Sequence, residues 1–194
     1  MIKIKDTVLK KIAASEDVGI DHLEKGIAEG TIAVMNNSKR DLEKPCAVGK
    51  GLKTKVNANI GVSPGFSSID SELEKMDVAV KAGADALMDL STGPLSQKLR
   101  KKIISDGPIT FGSVPIYEIA RDPSGDFFSM KEQDFIDAVR RQADEGVDFF
   151  TIHAGITHKD AIESSKKERL MNIVSRGGAL IASWMLKNNQ ENPF

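Results

Sequence analysis

Two stretches of this chain repeat one layout, and the repeat limits the fold more than any other feature. Residues 81–91, KAGADALMDLS, and 144–154, DEGVDFFTIHA, each run from a helix end through a glycine and an aspartate into an apolar strand. Each strand then ends on polar side chains, with Asp89 and Ser91 in the first and His153 in the second. This is the αβ half of a βα unit, and stacking such units builds parallel α/β architectures.

The stretch from Lys53 to Gly61 has the same logic. Lys55, Asn57 and Asn59 alternate with Val56, Ala58 and Ile60, a period of two that predicts a strand. Ser63, Pro64 and Gly65 mark the following loop, and Ser67 or Ser68 can cap a helix. Strands are predicted from Thr54, Asp85, Ile109 and Val147 and over Leu170–Val174, parallel and in chain order because βα crossovers are right-handed. Helices are predicted over 68–83, 95–105, from near Ser129, over 159–167 and over 179–186. Polar candidates fall at or after strand ends: Asn59, Asp89, Ser91, Ser113, His153, Ser175 and Arg176. In a barrel those ends share one rim. The predicted fold class is therefore α/β, a (β/α)8 TIM-barrel type with about five βα units present over 53–194.

Residues 1–52 read as a separate, mainly helical segment. Asp6–Ser15 is an amphipathic helix, and a second starts at Asp21 with Glu24 at the capping-box position and stops at Gly30. Thr31–Met35 is a short strand and 36–44 a polar loop, with Pro45, Gly49 and Gly51 as separators. The unpaired edges of a partial barrel predict self-association as a homo-oligomer.

Composition excludes several functions. Formal net charge is −1, which offers neither nucleic acid nor an anionic membrane an electrostatic partner. No apolar run approaches the roughly 20 residues of a membrane span, and the first residues lack a signal-peptide apolar core, so a cytoplasmic location is expected. Cys46 is the single cysteine, and His153 and His158 are five apart rather than four, so no metal motif is complete.

Several residues could carry chemistry. Ser175-Arg-Gly-Gly178 ahead of a helix suits a phosphate, through backbone N–H groups and a planar cation. His153 could donate a hydrogen bond, act as acid or base, or sit as a core imidazole. Tyr117, the only tyrosine, aims a phenol at the rim. Asp89 could bind ligand or be a buried structural carboxylate, Lys55 could form a Schiff base, and Met88 reads as core.

The segments VNANIG (56–61), AGAD (82–85), MDLSTG (88–93), VPIY (114–117), TIHAG (151–155) and IVSRGG (173–178), with the closing Glu191-Asn-Pro, resemble the phosphomethylpyrimidine synthase family of thiamine biosynthesis. They occur in the family's order, from about Gly19 to the end. The resemblance implies a (β/α)8 barrel and a carbon–carbon lyase. It would use S-adenosylmethionine and a [4Fe–4S] cluster to rearrange aminoimidazole ribonucleotide into hydroxymethylpyrimidine phosphate. It also implies a small-molecule ribonucleotide partner, with substrate contacts on Asn59, Met88, Tyr117, His153, Ser175, Arg176 and Gly177.

This chain departs from the family where the chemistry is concentrated. The family's later Asp-Gly-Leu-Arg segment, metal-binding histidines and three-cysteine cluster motif are absent, and Val62, Pro94 and Phe194 differ from its usual residues. The expectation is a front portion of the enzyme, holding part of the substrate site and no catalytic residue, and inactive by itself. A hydroxybenzimidazole synthase relative and a non-catalytic nucleotide-binding or interaction module are the alternatives.

Overall fold

The computed structural model describes residues 4–120, 126–166 and 170–194. Helices α1 (Asp6–Glu16) and α2 (Ile20–Ala28) lead into strands β1 (Ile32–Met35) and β2 (Cys46–Gly49). These strands pair antiparallel, Ile32 opposite Gly49. Val8, Leu9, Ile12 and Leu23 from the helices close over Ile32 and Ala47 as one apolar cluster. Two details depart from the sequence reading. Gly19 occupies the N-cap of α2 without any side-chain cap bond, so Asp21 lies inside the first turn. Strand β2 falls in a stretch read as a separator, because its CAVG has no polar residue to alternate with its apolar ones.

Four strands form the parallel sheet: β3 (Asn57–Ile60), β4 (Ala86–Asp89), β5 (Thr110–Ser113) and β6 (Phe149–Phe150), in chain order. Asn59 stands opposite Met88, and Met88 opposite Gly112. Helices α3 (Ile69–Lys81) and α4 (Ser96–Asp106) cover one face, with Met76, Leu99 and Ile103 packed against Ile60, Leu87 and Phe111. The predicted cap of α3 is present: Ser68 and Ser71 exchange a reciprocal capping box. Helices α5 (Pro115–Ile119), α6 (Glu132–Glu145), α7 (His158–Lys166) and α8 (Arg176–Asn188) complete the chain, with a 3-10 turn at Phe127–Ser129. The predicted end of α7 at Lys167 lies outside the described residues. Met88, Ile116, Phe135, Ile181 and Trp184 share a second core.

The fifth predicted strand is not formed. Residues 170–174 are bends and irregular backbone, and Leu170, Met171 and Val174 lie exposed. Apolar β-formers become a strand only beside a partner. Here β6 pairs through two residues alone and offers no further ladder.

Two buried polar ties fasten the leading segment to the strand starts. The Asp148 carboxylate accepts from the backbone N–H groups of Asn37 (2.8 Å) and Phe111 (2.9 Å) and pairs with Arg40. Burial raises the Asp148 carboxyl, and those donors counter it only in part. Lys55 pairs with Glu16 at 2.8 Å, both side chains under a tenth exposed. The Lys55 Nζ is thus held in that pair at the strand's start.

Gly61 shows why the loop after β3 takes its path. Its φ is +148°, its N–H donates to Glu72 (2.8 Å), and a Cβ there would stand 2.5 Å from the Ser91 nitrogen. Gly61→Ala is expected to cost about 1–3 kcal/mol, read as a lower urea midpoint at unchanged slope.

Candidate functional site

Five of the seven sequence-predicted residues meet where α8 begins. Ser175 is the N-cap of α8; its Oγ accepts from the Gly178 N–H at 3.1 Å, and its carbonyl accepts from Ala179 at 2.8 Å. The N–H groups of Arg176 and Gly177 have no backbone or side-chain acceptor among the described residues, as expected of a helix start. The His153 ring lies so close over Gly177 that a Cβ there would fall 2.1 Å from His153 Cε1. Glycine is what lets the imidazole reach the helix start.

Tyr117 stands beside this pair. Its ring centroid is 6.5 Å from that of His153, tilted by 39°. The Arg176 guanidinium carbon sits 5.3 Å from the Tyr117 centroid, a cation–π arrangement. Arg176 is exposed and has no carboxylate partner among the described residues. A guanidinium, two amide N–H groups without an acceptor among the described residues and a helix dipole then belong to one helix start, the composition of an anion site.

Burial pushes the His153 imidazole below its usual range, which favours a neutral ring at neutral pH. Its Nδ1 is buried with no hydrogen-bond partner among the described residues. A neutral imidazole with one uncommitted nitrogen can accept or donate one hydrogen bond to a ligand. The backbone around it is held from the C-terminus: Asn192 donates to the carbonyls of His153 (2.9 Å) and Ile156 (3.0 Å), and Glu191 accepts from the His158 N–H at 3.1 Å.

The remaining two predicted residues sit elsewhere. Met88 is buried in the second core and receives the Thr151 hydroxyl at 3.9 Å, which links it to the segment after β6 that carries His153. Asn59 is exposed on β3, at the open edge of the sheet, and borders a groove with Ser71, Lys75 and Val78 of α3. Among the described residues no hydrogen bond joins Asn59 to the Tyr117–His153–Arg176 group.

Sequence reasoning missed the polar layer behind Tyr117. Arg100, 2% exposed, pairs with Glu118 and Glu145, each at 2.7 Å. Glu118 also accepts from Arg141 and Gln142 (2.8 Å each), and Gln142 accepts from Ser113 Oγ at 2.6 Å. Burial pushes the Glu118 carboxyl up, but the two arginines outweigh it and the net direction is down. Asp89 is a structural carboxylate here: buried, raised by desolvation, and accepting from the Ser91 N–H at 2.8 Å. Charged residues at a helical spacing look like a solvated face in sequence, and only the fold buries them.

Comparison with known proteins then decides the family. The sequence model of the radical SAM ThiC family matches residues 3–194. The chain belongs to this family. It is 44% identical over 189 residues to a phosphomethylpyrimidine synthase of Desulforudis audaxviator, covering 96% of this chain and 44% of that protein. It is 45% identical over 191 residues to the one from Thermotoga petrophila, covering 96% and 45%. Phosphomethylpyrimidine synthase 2 of Methanothermobacter thermautotrophicus is 42% identical over 189 residues, covering 96% and 44%. The chain therefore spans less than half the length of these curated relatives.

The residues present do not fit the iron–sulfur cluster of a radical SAM protein. Such a cluster takes three or more thiolates, and these 194 residues hold one cysteine. Cys46 is buried on β2, with its thiol pushed up to about 11, chiefly by burial. It borders a cavity with Lys55 and Asp85 at the strand starts, away from the α8 site. Among the described residues no group of three His, Cys, Asp or Glu side chains could hold a metal ion. No described helix is long and apolar enough to cross a membrane.

Proposed function

We propose that this chain carries the phosphate-binding and ring-contacting part of a phosphomethylpyrimidine synthase, the thiamine-pathway enzyme that its ThiC relatives are named for. The reading takes the four parallel strands as the first part of a (β/α)8 barrel over 53–194, with 1–52 as a leading unit. The ligand is aminoimidazole ribonucleotide. Its phosphate sits at the start of α8, on Arg176 and the N–H groups of Arg176 and Gly177. Tyr117 and His153 face the ribose and the imidazole ring. Asn59, apart from this group on the open edge of β3, is assigned to the base end of the ligand by the family resemblance alone, and Met88 backs the site from the core. The observation that carries the reading is the exposed Arg176 guanidinium, stacked on Tyr117 and set at a helix start with two amides that lack an acceptor among the described residues.

In the complete enzyme the cluster and S-adenosylmethionine supply the radical chemistry. These 194 residues contribute binding alone, because one cysteine cannot hold the cluster. Their work is to fix the phosphate as an anchor, hold the ring against a neutral imidazole, and shield one side of the ligand with Met88. The exposed edge of β3 and the apolar Leu170, Met171 and Val174 also favour self-association of the chain.

Calorimetry with aminoimidazole ribonucleotide tests the reading. The expected dissociation constant is of order millimolar, about −4 kcal/mol, since only part of the site is present. Arg176→Ala removes a charge-assisted contact worth roughly 1.5–3 kcal/mol, so affinity falls about tenfold or more. Identical titrations for the parent and a folded Arg176→Ala variant overturn the placement of the phosphate.

A further inference from the structure

We propose that Glu118 is a positioning residue for Tyr117. Its carboxylate, locked by Arg100, Arg141 and Gln142, sets the roll of α5 and so fixes where the tyrosine ring stands against His153 and Arg176. Helix α5 has five residues, too few to be stable by itself. Its faces are divided. Ile116 and Ile119 enter the second core, Glu118 enters the polar layer, and Tyr117 turns to the α8 site.

Apolar contacts are non-directional, so Ile116 and Ile119 hold α5 down without fixing its rotation about its axis. Hydrogen bonds have preferred directions. Glu118 spends both oxygens on such contacts: Oε1 accepts from Arg141 and Oε2 from Gln142, and Arg100 adds an ion pair to Oε2 at 2.7 Å. Arg100 comes from α4, and Arg141 and Gln142 come from α6. Arg100 is itself held by Glu145, and Gln142 by Ser113 at the end of β5. The orientation of α5 is thus referred to the sheet and to two long helices. Tyr117 is next in sequence to the clamped residue, so a small roll of α5 carries its ring away from the Arg176 guanidinium.

The inference rests on the proposed site only for the identity of the ligand, and its first test needs none. The His153 ring proton resonance, one of three histidines, feels the Tyr117 ring. Glu118→Gln keeps the side-chain volume but turns an amide N–H2 against donors. It is expected to shift the His153 resonance and leave those of His22 and His158 in place. In a Tyr117→Leu background the same substitution should give no shift, the signature of coupling in a double-mutant cycle. An unmoved His153 resonance, or an equal shift in both backgrounds, overturns the proposal. If Glu118→Gln loses its thermal transition, Arg141→Gln decides by the same cycle, since it removes one donor from the solvent side. Affinity for aminoimidazole ribonucleotide should then fall severalfold in Glu118→Gln, and should not fall further when added to Tyr117→Leu. A parent chain that fails to bind the ribonucleotide sinks the functional reading, while the resonance cycle still decides the positioning role.

Discussion

Gly177→Ala is expected to remove ribonucleotide binding from this chain while leaving most of the fold in place. The new methyl carbon would fall 2.1 Å from His153 Cε1 and 2.3 Å from its Nε2, well inside contact distance. Either the imidazole swings out or the first turn of α8 moves, and both separate the groups assembled there. The His153 backbone cannot simply retreat, because Asn192 holds its carbonyl from the other side. Overpacking of this kind costs about 1–3 kcal/mol of stability, a tolerable loss, whereas misplacing an anion site by an ångström takes away its geometry. Calorimetry with aminoimidazole ribonucleotide should give no heat beyond dilution, with a thermal transition still present. Parent-like affinity in Gly177→Ala would mean that the His153–Gly177 contact has no part in binding.

The largest loss of stability is expected at Asp148. Its side chain is fully buried and serves three donors, the N–H groups of Asn37 and Phe111 and the Arg40 guanidinium. Arg40 is also tied to the Gly107 carbonyl at 2.9 Å and is nearly as buried. Asp148→Ala leaves a buried cation and two backbone donors without their acceptor. Breaking one side of a buried pair typically costs about 3–5 kcal/mol, a large share of the 5–15 kcal/mol available to a typical domain. Urea unfolding should show a midpoint lowered to match, and the leading segment should become protease-sensitive first. A loss below about 1 kcal/mol would mean that this clamp is not what joins the segment to the sheet.

Much of the architecture was legible because it depends on periodicity and punctuation. The period-two pattern around Asn57 and Asn59, the serine cap at Ser68, and the glycine before each apolar run place β3, β4, β5 and β6. The strand-end rule placed Tyr117 and His153 near one rim, but it set Ser175 and Arg176 after a fifth strand that is not formed, and there the glycine-rich helix start alone carried the signal. Three features were not legible. Leu170–Val174 has strand composition, but strand formation depends on a neighbour, which no local pattern encodes. Strand β2, CAVG, has no polar residue to alternate with its apolar ones, and helix α5 has five residues, little more than one turn. The Arg100–Glu118–Glu145 layer joins three helices, and nothing in the spacing of charges along one helix tells which of them the others will bury. The same blindness hid Asp148 and Glu72, whose carboxylates serve backbone N–H groups far away in sequence.

The most direct test is a 1H–15N NMR titration of the chain with aminoimidazole ribonucleotide. The account predicts that the amides of Arg176 and Gly177 and the ring of His153 shift together, saturating at millimolar ligand, while α1 and α2 stay unperturbed. Shifts that leave Arg176, Gly177 and His153 unmoved, wherever else they occur, would contradict it.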